Sequence, residues 1–129
     1  MSIELKYLTW VAAFTAVMWI PYILNMILVR GLIDAVGYPE NPKPLAAWAS
    51  RMKAAHANAV ENLVVFAALV LVAQIAGAIN ETTAAACAIY FWARVAHFVA
   101  YALRIPWVRT LGFVVGFGCQ MVIAWEILA

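Results

Sequence analysis

The sequence predicts an all-α integral membrane protein: a single-domain four-helix bundle with antiparallel up-down topology. Of its 129 residues, 68% are hydrophobic and only 11% are charged, whereas soluble domains are roughly 45–50% apolar. Four segments, residues 7–29, 45–79, 82–103 and 108–128, are long enough to cross a hydrocarbon layer that needs about 20 mostly apolar residues per span. Helices are expected because each one satisfies its own backbone hydrogen bonds in lipid.

The first predicted helix contains Pro21, which should bend it because proline lacks an N–H and its ring clashes with the preceding turn. Asn25, one turn later, is interpreted as an interhelical hydrogen-bonding group rather than a ligand contact. The apolar stretch is longer than the ~7–15 residues of a signal-peptide core, so the segment is predicted to be retained. Three prolines within residues 37–44 then predict a loop.

The second helix meets no breaker between Leu45 and Gly77, so it should be longer than the ~30 Å hydrocarbon layer and project from it. Residues 77–83 predict a tight hairpin in which polar residues 80–83 serve as turn and N-cap material. Pro106 should end helix 3 or begin helix 4. Gly112 and Gly116 have the spacing of a close helix-packing face.

Basic residues concentrate in the first and third connections, which predicts that both termini face away from the cytoplasm. The compact loops and the lack of an organelle signal favour a bacterial inner membrane. The net charge of +2 gives no indication of a nucleic-acid partner.

Cys87 and Cys119 stand singly in apolar stretches, so we expect buried thiols rather than a disulfide framework or a zinc site.

Polar side chains follow one face of helix 2 at its cytoplasmic end. At about 100° per residue, Arg51, Asn58, Glu61 and Asn62 fall within roughly 100° of arc. Such groups in a span must be paired or must serve a ligand, so this face marks a candidate site. His56 points about 120–160° away from it, which argues against a haem held by two histidines.

A second polar ladder follows helix 3, where Tyr90, Arg94, His97 and Tyr101 fall within about 60° of one another. Arg94 lies near the hydrocarbon midplane, where an unpaired guanidinium costs at least ~2.5–3.5 kcal/mol. Its long side chain should therefore reach toward Glu61.

The hairpin predicts that the two ladders lie level with each other: with a turn near Asn80, Asn58 is level with Tyr101 and Glu61 with His97. One interpretation is an interhelical network that only fixes the bundle. The other is an incomplete network that attracts an anionic ligand, because four arginines face one carboxylate. Those arginines are Arg51, Arg94, Arg104 and Arg109.

Together, the two ladders and the arginine-rich exit from helix 3 resemble the MAPEG family, the membrane-associated proteins of eicosanoid and glutathione metabolism, in a bacterial-type form. The likeness covers the chain from about Pro44 to helix 4. The residues that carry it are Arg51, Asn58, Glu61, Arg94, His97, Tyr101, Pro106 and Arg109.

This resemblance implies a homotrimer in which glutathione, the thiol co-substrate, lies between neighbouring subunits. It implies a glutathione-dependent transferase or peroxidase that acts on hydrophobic electrophiles or lipid hydroperoxides from the surrounding membrane lipid, with no metal. Arg109 maps onto the family's thiolate-stabilising arginine, with Arg104 as the alternative because loop lengths vary. The implied glutathione-binding residues are Arg51, Asn58, Glu61, Arg94, His97 and Tyr101.

Two other classes of function are weighed beside this one. The first is a non-enzymatic membrane module whose ladders hold the oligomer together or bind lipid headgroups. The second, a proton-coupled exporter, would need a carboxylate near the middle of helix 1. The sequence offers only Glu4, ahead of the predicted start of that helix.

Overall fold

Four apolar helical spans make up a computed structural model that describes all 129 residues. The helices are α1 (Ile3–Val17), α2 (Trp19–Arg30), α3 (Leu32–Val36), α4 (Ala47–Ile75), α5 (Glu81–Ala102) and α6 (Pro106–Leu128). Helices α1 and α2 together form one span, and α4, α5 and α6 form the other three. The predicted all-α membrane bundle of four helices is confirmed.

The first span begins earlier than predicted and is interrupted. It starts at Ile3, where the Ser2 Oγ accepts a hydrogen bond of 3.2 Å from the Leu5 N–H. Pro21 lies four residues after Val17, so it cannot donate to the Val17 carbonyl and its ring crowds that carbonyl. Helix α1 accordingly ends at Val17 and α2 begins at Trp19. The predicted bend is present, one turn ahead of the proline that causes it.

The hairpin between α4 and α5 is shorter on the α4 side than predicted, because α4 ends at Ile75. Gly77 follows with a φ of +68°, a left-handed conformation that glycine adopts without strain. Asn80 caps α5: its side chain accepts from the Thr83 N–H at 3.0 Å, and Thr83 Oγ1 accepts from the Asn80 N–H at 2.8 Å. This reciprocal pair confirms the predicted cap.

The connection between the first two spans contains a short helix, Leu32–Val36, that was not predicted from the sequence. Residues 37–46 are non-helical, as the prolines in this segment predict. Asn25 Oδ1 accepts a 3.0 Å hydrogen bond from the backbone N–H of Ala46, immediately before α4. Asn25 thus has the expected structural role, although its partner is backbone rather than a side chain on another helix.

The core lies where α1, α4, α5 and α6 meet, and α5 and α6 form the most extensive helix pair. The rings of Phe66 on α4 and Tyr90 on α5 stack with centroids 3.9 Å apart. Cys87 and Cys119 are buried in this core, as expected. Gly112 and Gly116 are also buried and face α5, as their spacing predicts.

The two ends of the bundle differ. The chain termini and the α4–α5 hairpin share one end, which we call the terminal end; the α2–α4 and α5–α6 connections share the other, which we call the basic end. At the terminal end, three side-chain hydrogen bonds of 2.6 Å join the spans. They run from Ser2 to Gln74, from Thr83 to Glu4 and from Asn80 to Glu126.

Glu4 corrects one expectation. Glu4 was predicted to lie ahead of helix 1, whereas it lies inside α1 with only 4% of its surface exposed. Thr83 Oγ1 donates the hydrogen bond that satisfies its Oε1. The carboxylate is at the terminal end and not at the middle of the span, so the argument against an exporter still holds.

Replacing Thr83 by valine should destabilise the protein by about 2–3 kcal/mol, because it removes the donor to a buried carboxyl and the hydroxyl that accepts from the Asn80 N–H in the α5 capping box. Thermal unfolding in detergent would measure the loss. Thr82→Val is the matched control, since Thr82 is exposed in the same turn. Equal stability of the two variants would contradict this role for the Glu4 contact.

Candidate functional site

The candidate site lies at the basic end, where α4, α5 and the start of α6 converge. Along α5, Tyr90, Arg94 and His97 are buried and Tyr101 is half-buried, so this ladder faces the bundle interior. On α4, Asn58 and Asn62 are half-buried. The two ladders therefore meet inside the bundle for most of their length.

Arg94 does not make the contact that the sequence reading expected. Its Nη2 donates to Asn58 Oδ1 at 2.7 Å, while Glu61 is exposed on α4 and receives no hydrogen bond from it. The cause is the face of α4 on which Glu61 lies: its side chain is exposed, whereas Asn58 and Asn62 are half-buried. Helix α4 also ends at Ile75, so the hairpin turns earlier than expected and the residues that face each other across α4 and α5 shift by about one turn. Asn58 is consequently level with His97 rather than with Tyr101.

A second amide layer lies behind this contact. Asn62 Nδ2 donates to the Asn58 carbonyl at 2.9 Å, and Gln120 Nε2 donates to the Asn62 carbonyl at 3.2 Å. Gln120 lies on α6 and is only 4% exposed. Sequence reasoning missed it, although a single amide in an otherwise apolar span is the signal that could have revealed it.

The connection between α5 and α6 forms the opening of the candidate site. Arg104 adopts a φ of +61°, the left-handed conformation with which many helices end, although glycine usually occupies that position. Pro106 then begins α6, where its missing N–H is not needed. This short connection brings Arg104 and Arg109 to the same cavity.

Two adjoining cavities open at this end. The first has a volume of about 260 Å³. It is lined by Arg51, Tyr101, Arg104, Ile105, Pro106 and Arg109. The second has a volume of about 210 Å³ and is lined by Asn58, His97, Tyr101, Arg109, Thr110 and Phe113. No carboxylate lines either cavity, so their combined field is positive and suits an anionic ligand.

Arg109 and Tyr101 line both cavities. The guanidinium carbon of Arg109 lies 4.9 Å from the centre of the Tyr101 ring, a cation–π distance that positions the charge. The Arg51 side chain on α4 is held against the end of α5, since its Nε donates to the Ala102 carbonyl at 3.1 Å. Both guanidinium groups retain further N–H donors for a ligand.

His97 lines the second cavity and is only 3% exposed, and its buried Nδ1 has no hydrogen-bond partner. Buried polar atoms without a partner are rare, and the only other one among the side chains is the Tyr90 hydroxyl. His56, by contrast, lies outside the site: its Nδ1 is 2.7 Å from the Tyr22 hydroxyl on the first span. This agrees with the expectation that His56 points away from the ladder.

The sequence matches the model of the MAPEG family over residues 8–129, which is nearly the whole chain. This chain belongs to the MAPEG family. No curated protein and no solved structure matches it significantly. Membership establishes an integral, multi-pass membrane protein in a family whose members have glutathione-related transferase, peroxidase or related roles and generally use glutathione as co-substrate.

The MAPEG chain brings most of the predicted site residues together. Six of them line the two cavities: Arg51, Asn58, His97, Tyr101, Arg104 and Arg109. Arg94 lies behind Asn58 as its hydrogen-bond partner. Glu61 is the exception, because it faces outward from the chain at the middle of α4. No cluster of three or more histidine, cysteine or acidic side chains is placed to hold a metal ion.

Gly112 allows α6 to approach the site closely. A Cβ at this position would lie 3.1 Å from the Ala93 carbonyl oxygen and 3.2 Å from the Cβ of His97. Gly112→Ala should push α6 away and lower the free energy of unfolding by about 1–3 kcal/mol. Thermal unfolding in detergent would measure this change. Gly118→Ala is the control, because a Cβ there meets nothing within 4 Å; if both substitutions are neutral, close packing at Gly112 is not required.

Proposed function

We propose that this MAPEG protein is a homotrimeric, membrane-embedded glutathione-dependent transferase or peroxidase. Its second substrate would be a hydrophobic electrophile or a lipid hydroperoxide that enters from the bilayer. The observation that carries the proposal is the pair of adjoining cavities lined by Arg51, Arg104 and Arg109 with no carboxylate. The family membership supports the choice of glutathione as the anion.

Glutathione suits these cavities chemically. It carries two carboxylates, which planar guanidinium groups bind through paired hydrogen bonds. Arg51 and the side chains of Asn58, His97 and Tyr101 would hold its γ-glutamyl and glycyl ends. Arg94 supports this set indirectly, since its bond to Asn58 fixes that amide.

The exposed Glu61 supports an assembly of several copies. It lies midway along an apolar helix, where a carboxylate that faced lipid would be costly. It also lies one helical turn from Asn58, on the same side of α4. A cleft between protomers would cover Glu61 and allow it to bind the ammonium group of glutathione.

Arg109 is the proposed activating group. The glutathione thiol is a weak nucleophile, and an adjacent guanidinium stabilises the thiolate and so lowers the thiol pKa. Arg109 is favoured over Arg104 because it lines both cavities, whereas Arg104 lines only the one nearer the mouth. The Tyr101 ring keeps the Arg109 charge in place.

The reaction then proceeds through the thiolate, whose proton leaves to solvent. In the transferase reaction, sulfur forms a bond to the electrophilic carbon and the leaving group departs with the bonding pair. In the peroxidase reaction, sulfur attacks the terminal oxygen of the hydroperoxide and the O–O bond breaks. The alkoxide takes a proton from solvent and leaves as an alcohol, and glutathione sulfenic acid remains. A second glutathione reduces that acid to the disulfide and water.

A non-enzymatic membrane module is the second candidate. The observation that favours it is that Arg94 and Arg51 already have partners within the chain, Asn58 Oδ1 and the Ala102 carbonyl. In that case the ladders would hold the oligomer together or bind lipid headgroups. Isothermal titration of glutathione into the detergent-solubilised protein would then show no saturable heat.

The proposal includes an orientation. Seven of the eight lysine and arginine residues lie at or toward the basic end, so this end should face the cytoplasm and both termini should lie on the other side. The cavities would then draw glutathione from the cytoplasm. A bacterial inner membrane fits this arrangement.

Arg109→Ala should lower the rate of conjugation of 1-chloro-2,4-dinitrobenzene by about 100-fold or more, because the transition-state charge on sulfur loses its cation. Glutathione binding, measured by titration calorimetry, should fall much less. Arg104→Ala is the matched control and should retain most of the turnover. Unchanged turnover in Arg109→Ala, or a larger loss in Arg104→Ala, would assign the activation elsewhere.

Glu61→Gln should weaken glutathione binding about 10- to 100-fold, because the ammonium group loses its ion pair. Titration calorimetry would measure the dissociation constant. N-acetylated glutathione, which lacks the ammonium, provides the chemical control and should bind the wild-type protein and the variant equally weakly. An equal loss of affinity for both ligands would mean that Glu61 acts through structure instead.

A further inference from the structure

A groove on the outside of the bundle, between α1 and α5 at the terminal end, takes no part in the site described above. Its volume is about 540 Å³. We call it the aromatic groove, and its lining residues are Ile3, Lys6, Tyr7, Trp10, Phe91 and Trp92. Four of the six are aromatic and only Lys6 is charged, so the surface combines a broad apolar area with one cation.

The aromatic contacts give the groove a built shape. The rings of Tyr7 and Phe91 lie with centroids 5.9 Å apart, and those of Phe91 and Trp92 lie 5.0 Å apart, edge to face. Tyr7 and Phe91 are half-buried and form the floor. Trp10 and Trp92 are 62% and 63% exposed and form open walls. A long apolar chain could therefore lie between the two tryptophans.

The polarity of the groove changes with depth. Lys6 lies in the first turn of α1, which starts at Ile3, so its ammonium belongs at the membrane surface. Trp10 lies about 6 Å farther along α1, and Trp92 lies about 16 Å from the start of α5, at 1.5 Å per residue. Charge at the surface and aromatic rings at depth match an amphiphile with an anionic head and an acyl chain.

Lys6 is available for an external anion. It is exposed, and it is the only lysine or arginine at the terminal end. Three side-chain carboxylates lie at this end. Glu4 accepts from Thr83 and Glu126 accepts from Asn80, both at 2.6 Å, while Glu81 is exposed at the first residue of α5. No hydrogen bond within the chain holds the Lys6 ammonium, so its N–H donors are free to contact an external anion.

We propose that the aromatic groove binds an anionic phospholipid of the leaflet at the terminal end. The Lys6 ammonium contacts the charged headgroup, and one acyl chain lies along Tyr7, Phe91 and the two tryptophans. The site is independent of glutathione. The competing explanation is an aromatic belt that anchors the protein without distinguishing lipids, and the experiment below separates the two.

The test uses tryptophan fluorescence of the full chain in phosphatidylcholine vesicles without glutathione. Increasing fractions of dibrominated phosphatidylglycerol or dibrominated phosphatidylcholine are added as quenchers. The readout is the difference in quenching between the protein with Trp92 and the Trp92→Phe variant, which reports Trp92 alone. This substitution leaves Tyr7 and Phe91, the floor of the groove, in place. In the wild type, half-maximal quenching should need about fivefold less phosphatidylglycerol than phosphatidylcholine, the preference expected for one lysine near the surface.

Lys6→Gln should abolish this preference, and Lys6→Arg should retain it, which shows that the charge is what matters. Lys43→Gln, in the loop at the basic end, is the matched control and should behave like the wild type. Helical circular dichroism verifies that each variant is folded. Equal quenching midpoints for the two lipids in the wild type, or a preference that survives in Lys6→Gln, would overturn the proposal in favour of the unselective belt.

Discussion

A buried guanidinium constrains this structure more than any other group. Arg94 is 4% exposed in a membrane span, so each of its interactions must come from the protein. Its partner, Asn58 Oδ1, accepts a hydrogen bond from Arg94 Nη2 at 2.7 Å but carries no charge. Helices α4 and α5 are therefore joined at this level while the positive charge remains uncompensated. That charge adds to the field of the two cavities at the basic end.

The approach of α6 completes this arrangement. A Cβ at Gly116 would lie 3.5 Å from the Tyr90 ring and 3.8 Å from Arg94 Cδ, and a Cβ at Gly112 would be closer still to its neighbours. Because these positions lack side chains, α6 can lie directly against the polar face of α5. The start of α6 then carries Arg109 to Tyr101. In the proposed mechanism, the packing glycines would therefore affect the chemistry through the position of the Arg109 guanidinium.

Much of this could be predicted from the sequence, because the membrane leaves few alternatives. Composition and segment length determined the four spans, and Pro21 and Asn80 correctly marked a bend and a cap. The inward face of α5 followed from helical periodicity alone. These features depend on local chemistry and on the requirement that every backbone polar group be paired in lipid.

The sequence could not predict the register between helices, that is, which residues of neighbouring helices lie level with each other. The end of α4 at Ile75 depends on the Gly77 turn, which sets the level at which the polar residues of α4 and α5 meet. The contact of Arg94 with Asn58 depends in addition on Glu61 facing outward from the chain. The contact that Gln120 makes could not be predicted for a related reason, since its partner, the Asn62 carbonyl, is a backbone atom that no side-chain pattern reveals. The burial of Glu4 likewise depends on where α1 begins, and Ser2 decides that point.

The contrast between the two ends of the bundle supports the location of the proposed site. At the terminal end, Ser2, Glu4 and Asn80 each find a partner within the chain, so the polar groups serve the fold. At the basic end, donors outnumber acceptors: two cavities are lined by guanidinium groups without a carboxylate, and the buried Nδ1 of His97 has no partner. The Tyr90 hydroxyl in the core is the other buried polar atom without a partner. Because buried polar groups are normally paired, the excess of donors at the basic end supports the proposal of an external acceptor there. An anionic ligand that spans both cavities would correct the deficit in charge and in hydrogen bonds together, which a neutral packing role for the same residues would not do.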